Sequence, residues 1–300
     1  MSARVEAFDC ELPHGITLSC RAAGRAGAPR VLLLHGFPEG AFIWDEVMLA
    51  LSGQARCVAP NLRGYERSSA PQGMEAYRAR HLVADLAALI EHLGAPIDLL
   101  VAHDWGGALA WVLAAQRPHL LRQLLIVNAP HPAAFLRELR HNGAQQAASA
   151  YMNFLCRPDA AALLAEHDFA RLWPFFERMG GAAWLTPALR ERYRALWRHG
   201  LEGPLNYYRA SPLRPPQSPD DGIHHLELPD EAVTVHVPTT VLWGDGDAAL
   251  LPTLLDGIGA WVPRLDVRRV PQATHWIVHE QPQRVAALVQ ELLRGARGTA

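Results

Sequence analysis

The chain has 300 residues, a length that suits one large core domain carrying one substantial insertion better than two full domains. Half of the residues are hydrophobic and 19% are charged, so a sizeable core can form. A formal charge of -2 and a pI near 6.7 leave no basic face for nucleic acid, and no apolar run is long enough to span a bilayer.

In chain order, residues 5–9 and 16–21 read as an opening pair of strands. Residues 31–34 are a continuous apolar run, as expected of a strand buried on both faces, and end in the turn His35-Gly36-Phe37-Pro38. A helix over 44–51, a short strand over 57–59 and a loop over 60–73 rich in Gly, Ser and Pro follow. Leu82, Leu86, Leu89, Ile90 and Leu93 recur at helical spacing and predict a helix over 79–93. Residues 97–102 read as a strand, 105–116 as a helix that Pro118 ends, and 121–127 as the next buried strand. The alternation then breaks. From 132 to 229 amphipathic helices are expected over 144–155, 160–165, 172–179 and 187–197, with a proline cluster at 212–219. A strand over 239–243, a helix over 252–259, a strand over 265–270 and a closing helix over 282–293 restore the pattern. Strand alternating with helix predicts the α/β class: a mostly parallel twisted sheet flanked by helices. The expected organisation is a core over 1–131 and 230–300, interrupted by a helical cap over 132–229.

Cys10, Cys20, Cys57 and Cys156 form no CxxC pair and no zinc spacing, which predicts free thiols in a reducing compartment. Residues 1–10 carry no apolar leader segment. A cytoplasmic monomer or homodimer is expected, with no nucleic-acid or membrane partner.

The strongest chemical signal is Val101-Ala102-His103-Asp104-Trp105-Gly106-Gly107. A strand ends, one reactive residue stands at the apex, and a helix begins at once. Ala102 and Gly106 are small, as a sharp strand-to-helix turn requires of the neighbours of its central residue. The apex is a carboxylate, Asp104, where this kind of elbow usually carries a serine; a carboxylate attacks an sp3 carbon and forms an alkyl-enzyme ester. Helix capping is the plainer role for such an aspartate. His275 follows the 265–270 strand and can reach the elbow from the carboxyl edge of the sheet, where it would activate water. Asp247, in Gly244-Asp245-Gly246-Asp247, would orient that imidazole, with Asp245 as its local competitor. The order nucleophile, acid, histidine is the order such a fold uses. Gly36 lets the backbone approach the site, so the amides of Phe37 and Trp105 can hold an oxyanion. His275 and His279 are four apart without a surrounding His-Glu-x-x-His motif, so neither a metal nor any other cofactor is expected.

Taken together, His35-Gly36-Phe37-Pro38-Glu39, Arg63-Gly64-Tyr65, His103-Asp104-Trp105-Gly106-Gly107, Gly244-Asp245-Gly246-Asp247 and His275-Trp276 resemble the epoxide hydrolase and dehalogenase branch of the α/β-hydrolase superfamily, over roughly residues 25–295. The resemblance implies an α/β-hydrolase fold and an Asp nucleophile. It also implies two cap tyrosines that bind an epoxide oxygen and protonate the alkoxide. Tyr208, in Asn206-Tyr207-Tyr208-Arg209, matches one; Tyr151 matches the other, with Phe154 nearby as a competing register. His35, Phe37, Pro38, Trp105, Phe154 and Trp276 are the expected substrate-binding residues, for a small apolar substrate. An epoxide hydrolase is the leading expectation. Haloacetate dehalogenases commonly carry Arg after the nucleophile, where Trp105 stands here, and tend to carry His in place of Tyr151. Haloalkane dehalogenases need two N–H donors for the halide, which Trp105 with Trp173 or Trp184 would supply. A non-catalytic member of the fold that binds a small ligand is the alternative from another class.

Overall fold

The computed structural model describes residues 4–177 and 183–297. Eight strands form one sheet: β1 (Glu6–Glu11), β2 (Thr17–Ala23), β3 (Arg30–Leu34), β4 (Arg56–Pro60), β5 (Leu99–His103), β6 (Leu124–Val127), β7 (Thr239–Gly244) and β8 (Leu265–Val270). Their order is β1-β2-β4-β3-β5-β6-β7-β8. β2 alone runs opposite to the other seven strands, so its pairings with β1 and β4 are antiparallel and the rest are parallel. The unbroken apolar runs of the central strands serve two cores at once, because alternate side chains point to opposite faces. Leu32, Leu34, Leu100 and Ile126 join the helices Ala79–Leu93 and Asp104–Gln116 on one face. Val31, Leu33, Val101 and Leu125 join the helices Asp45–Leu51 and Pro282–Arg297 on the other.

The strand order reverses between β3 and β5, where the chain has placed β4 on one side and β5 on the other. Crevices of α/β sheets open at such a switch point, outside the carboxyl ends of the strands. Here Leu34 pairs with Ala102, so the turn after β3 and the turn after β5 emerge side by side.

Several helices differ from expectation. The single helix expected over 144–155 is two, Gly143–Ala148 and Tyr151–Leu155. Between them bonding tightens to i+3, with the Ala150 amide donating to Ala147 and Met152 to Ser149, at 3.2 and 3.0 Å. The expected 252–259 helix is two short 3-10 turns, Pro252–Leu255 and Ile258–Ala260, because Gly257 between them is left-handed at φ 71. The expected 160–165 helix extends as Ala160–Phe169 with non-helical backbone at Glu166, His167 and Asp168. Trp173–Glu177 is helical; the last two residues of the helix expected over 172–179 lie outside the described residues. Four α-helices of the described residues were not anticipated; Asp230–Val233 and Ile277–Glu280 are single turns, and the other two are longer. Pro132–His141 opens with proline at its first position, a readable start signal. Glu202–Ala210 carries Gly203 and Pro204 in its first turn, which disguised it, although proline is tolerated there. Among the described residues no strand lies between β6 and β7, and no helix is long and apolar enough to cross a membrane. The four cysteines are unpaired.

The helix Glu202–Ala210 meets the loop after β4 backbone to backbone. Gly64, at φ 85, faces Gly203, and a Cβ added to Gly203 would sit 2.6 Å from the Cα of Gly64. The Tyr207 hydroxyl donates to the Arg63 carbonyl at 2.9 Å, while the Arg63 guanidinium is held by buried Asp85 at 2.6 and 2.7 Å. Only backbone stands in the way of a side chain here, so Gly203→Ala is expected to cost about 1–3 kcal/mol through overpacking. A lowered urea midpoint checks this; an unchanged midpoint would mean that the two segments separate without penalty.

Candidate active site

Asp104 sits at the junction of β5 and the following helix in the left-handed region, at φ 49. Residues with a Cβ adopt that conformation at a cost, so the surroundings must enforce it. Two glycines do so by letting the chains close in. A Cβ on Gly106 would lie 2.6 Å from the His35 carbonyl oxygen, and one on Gly36 would lie 2.0 Å from Asp104 Oδ1. The Gly106 amide donates to the His35 carbonyl at 3.0 Å, tying the two turns together.

The Phe37 amide donates to Asp104 Oδ1 at 2.7 Å. Oδ2 is therefore the freer oxygen, and it lies 3.8 Å from His275 Nε2. His275 Nδ1 bonds Asp247 Oδ2 at 2.7 Å. The other Asp247 oxygen accepts from the amides of Ala249 and Leu250, both at 2.9 Å, and Asn128 Nδ2 donates to Oδ2 at 2.8 Å. Asp245 turns away and bonds the exposed Arg269 at 2.8 Å, so Asp247 is the carboxylate that reaches the histidine.

Burial and charge set the protonation of this cluster. Burial opposes ionisation of Asp247, but the neighbouring His275, the Leu250 amide and Asn128 outweigh it and hold the carboxyl below its usual range. Burial likewise disfavours charge on His275, yet Asp247 and then Asp104 push its pKa up to about 9. For Asp104 burial wins: its pKa is raised, with His275 and the Phe37 and Trp105 amides pulling the other way.

Tyr151 and Tyr208 enter from helices that lie between β6 and β7, with ring centroids 6.3 Å apart. Both phenols have raised pKa values, first through burial and then, among other charges, through the carboxylate of Asp104, so both stay protonated and able to donate. Asp104, Trp105, Tyr151 and Tyr208 line one cavity of about 380 Å³. Its remaining walls are largely apolar, from Leu109, Val112, Phe135, Met152, Leu213 and Leu228. The arrangement places a carboxylate and two phenols on the wall of a space able to hold a small apolar molecule, with the His275 imidazole 3.8 Å from the free oxygen of that carboxylate.

Five of the six expected substrate-binding residues do not line that cavity. His35 is fully buried; its Nδ1 bonds the Gly36 carbonyl at 2.9 Å and its Nε2 accepts from the Leu62 amide at 3.0 Å, so it pins one loop to the next. Burial lowers its pKa to about 4, which keeps it neutral in that role. The Pro38 carbonyl accepts from the indole of Trp197 at 2.7 Å. Phe37 contributes its amide, while its ring packs against Phe175 and Tyr208. Phe154 sits under the Arg157 guanidinium, three residues along the same short helix as Tyr151. Trp276 is buried against Phe176. Trp173 and Trp184 also lie outside the cavity, the first packed at a tilt against Trp197 and the second stacked on His279, which withdraws both as the second halide donor that a haloalkane dehalogenase would need.

Sequence reasoning missed Asn128, whose position just past β6 and left-handed φ of 41 suit an asparagine, and whose amide braces Asp247. It also left Glu39 without a role. That carboxylate is fully buried and accepts from the Tyr193 hydroxyl and from His279, joining the turn after β3 to two later helices.

The chain matches the α/β hydrolase fold family over residues 29–282. It is 32% identical to the AB hydrolase superfamily protein YfhM of Bacillus subtilis (strain 168), across 94% of this chain and 96% of that protein. It is 30% identical to epoxide hydrolase 4 of Mus musculus, across 93% of this chain and 77% of the relative. Among solved structures, a Bacillus megaterium epoxide hydrolase in complex with an inhibitor superposes with a TM-score of 0.87 at 32% identity, covering 96% of this chain and 100% of that one.

Because the Asp104 carboxylate helps to raise the pKa of His275, Asp104→Asn removes a negative neighbour and is expected to bring that pKa down from about 9. Imidazole NMR resonances followed against pH check the direction. A titration midpoint that stays put or rises in the variant would show that the two groups are uncoupled.

Proposed function

The chain belongs to the α/β-hydrolase fold family, in its epoxide hydrolase branch, and on that premise we propose that it hydrolyses an apolar epoxide to a diol through a covalent ester on Asp104. The observation that carries this reading is a carboxylate at the strand-to-helix turn sharing one apolar cavity with two protonated tyrosines, Tyr208 buried and Tyr151 partly so. In this reading residues 132–229 act as the cap that supplies both phenols.

The epoxide oxygen accepts hydrogen bonds from Tyr151 and Tyr208. Asp104 Oδ2 attacks a ring carbon, the C–O bond breaks, and a phenol gives its proton to the departing oxygen. The ester carbonyl is Oδ1, which already rests on the Phe37 amide, with the Trp105 amide beside it. Esterification cancels the charge of Asp104 and so removes one of the groups that hold a proton on His275. That proton returns to the ionised phenol, and His275 becomes a neutral base at the moment one is needed. It takes a proton from water, and the hydroxide adds to the carboxyl carbon. The oxyanion stays on the amides, a placement typically worth about 3–4 kcal/mol per donor. The tetrahedral centre then expels the diol oxygen, which is protonated by His275, and the carboxyl proton returns the histidine to its starting state. Asp247 orients the ring throughout and stabilises the imidazolium.

Replacing His275 by Gln is expected to leave the first half-reaction and stall the second. Intact-protein mass would then rise by the mass of the added epoxide, on a peptide containing Asp104, and the D104N variant would show no rise. Absence of any adduct across styrene-type, aliphatic and terminal epoxides would count against covalent catalysis. Changing Tyr208 to Phe is expected to slow adduct formation about 100-fold or more, since a positioned proton donor contributes on that order. An unchanged rate would remove Tyr208 from the mechanism.

A further inference from the structure

Four aromatic rings close a circuit at the two tyrosines. Phe37 meets Phe175 at 5.9 Å between centroids, Phe175 meets Tyr151 at 5.5 Å, Tyr151 meets Tyr208 at 6.3 Å, and Tyr208 meets Phe37 at 5.3 Å. All four contacts are edge-to-face. The circuit is lopsided with respect to the 380 Å³ cavity: Tyr151 and Tyr208 line it, whereas Phe37 and Phe175 do not. From the tyrosine pair, open space therefore runs toward Leu109, Val112, Leu213 and Leu228, and the rings of Phe37 and Phe175 stand on the other side.

Phe175 is held firmly. It belongs to the short helix Trp173–Glu177, and its two neighbours anchor that helix. Trp173 packs on Trp197 at 4.7 Å beneath the Arg190 guanidinium, and Phe176 packs between Tyr193 and Trp276, at 4.7 Å from each. The position of the Phe175 ring is thus supported by the anchoring of its helix as well as by its own contacts with Phe37 and Tyr151.

An epoxide has two ring carbons flanking its oxygen. For an oxygen held by both phenols, the carbon turned away from the open cavity would be the one on the side of Phe37 and Phe175, which pack against those phenol rings. We propose that Phe175 is a specificity-determining residue that restricts this protein to epoxides substituted on one carbon only, an inference that rests on Asp104 opening epoxides. A bare CH2 fits beside the ring edge; a methyl group there meets it. One methyl group in a filled apolar site changes kcat/KM by about 10- to 200-fold.

Styrene oxide and trans-1-phenylpropylene oxide differ by that one methyl group and make the test. Wild-type protein is expected to prefer styrene oxide in kcat/KM by about 50-fold or more. Phe175→Ala is expected to reduce the preference at least about tenfold, and Phe175→Leu to reduce it less. Leu213→Ala, which enlarges the opposite wall, is expected to leave the ratio where it was. Should Phe175→Ala fail to fold, Phe175→Leu decides. Near-equal use of both epoxides by the wild type, or a ratio unmoved by either Phe175 variant, overturns the proposal. The two readings separate in the His275→Gln background. No adduct from styrene oxide would remove the nucleophile itself, while adducts forming equally fast from both epoxides would keep the nucleophile and discard the role of Phe175.

Discussion

Asp104 occupies a left-handed backbone position between a buried strand and a helix, and the site is arranged around that turn. Such a conformation costs on the order of 1–3 kcal/mol for a residue with a side chain and persists only where the surroundings leave no alternative. Here the parallel pairing of β3 with β5 brings two turns together, Gly36 and Gly106 remove the atoms that would keep them apart, and the Phe37 amide takes hold of one carboxylate oxygen. The consequence is asymmetry within a single side chain. One oxygen is committed to the backbone and the other faces the histidine.

The same closeness organises the charges. His275 lies between two carboxylates that differ in kind. Asp247 accepts hydrogen bonds from two amides and Asn128 that help hold its carboxyl below its usual range, whereas Asp104 is the less settled of the two, with burial pushing its pKa upward. In the proposed reaction only the second charge is consumed. A histidine charged at rest and neutral in the ester intermediate needs no moving part, because the chemistry on Asp104 switches it. The phenols follow a related logic in the same proposal: burial keeps them protonated, so each can give a proton to the alkoxide the proposed ring opening would form.

Much of this was legible in the sequence because it lies in local pattern. β3, β5 and β6 are continuous apolar runs, and a reactive residue set between such a run and a helix announces a turn. Asp104, Asp247 and His275 each follow a strand at the same edge of a parallel sheet, so their order along the chain already implies that they converge. The directions of neighbouring side chains were not legible. Trp276 adjoins His275, and His35 and Pro38 flank Gly36 and Phe37, but all three are used for packing and for tying loops together. The cavity walls come from Leu109, Leu213 and Leu228, residues far apart in the chain that no periodicity connects. Phe175 gains its place from Trp173 and Phe176 on either side, a tertiary arrangement without a local signal. Asn128 could have been found, since an asparagine just past a strand end is suited to a left-handed turn.

The central claim is that a protein oxygen, and not one from solvent, reaches the substrate carbon. A single turnover with enzyme in excess, run in 18O-labelled water, tests it most directly. If Asp104 is the nucleophile, the first diol carries no label and the label is recovered in the peptide containing Asp104. A first diol already bearing 18O, with that peptide unlabelled, would mean that water attacks the substrate itself and would contradict the account.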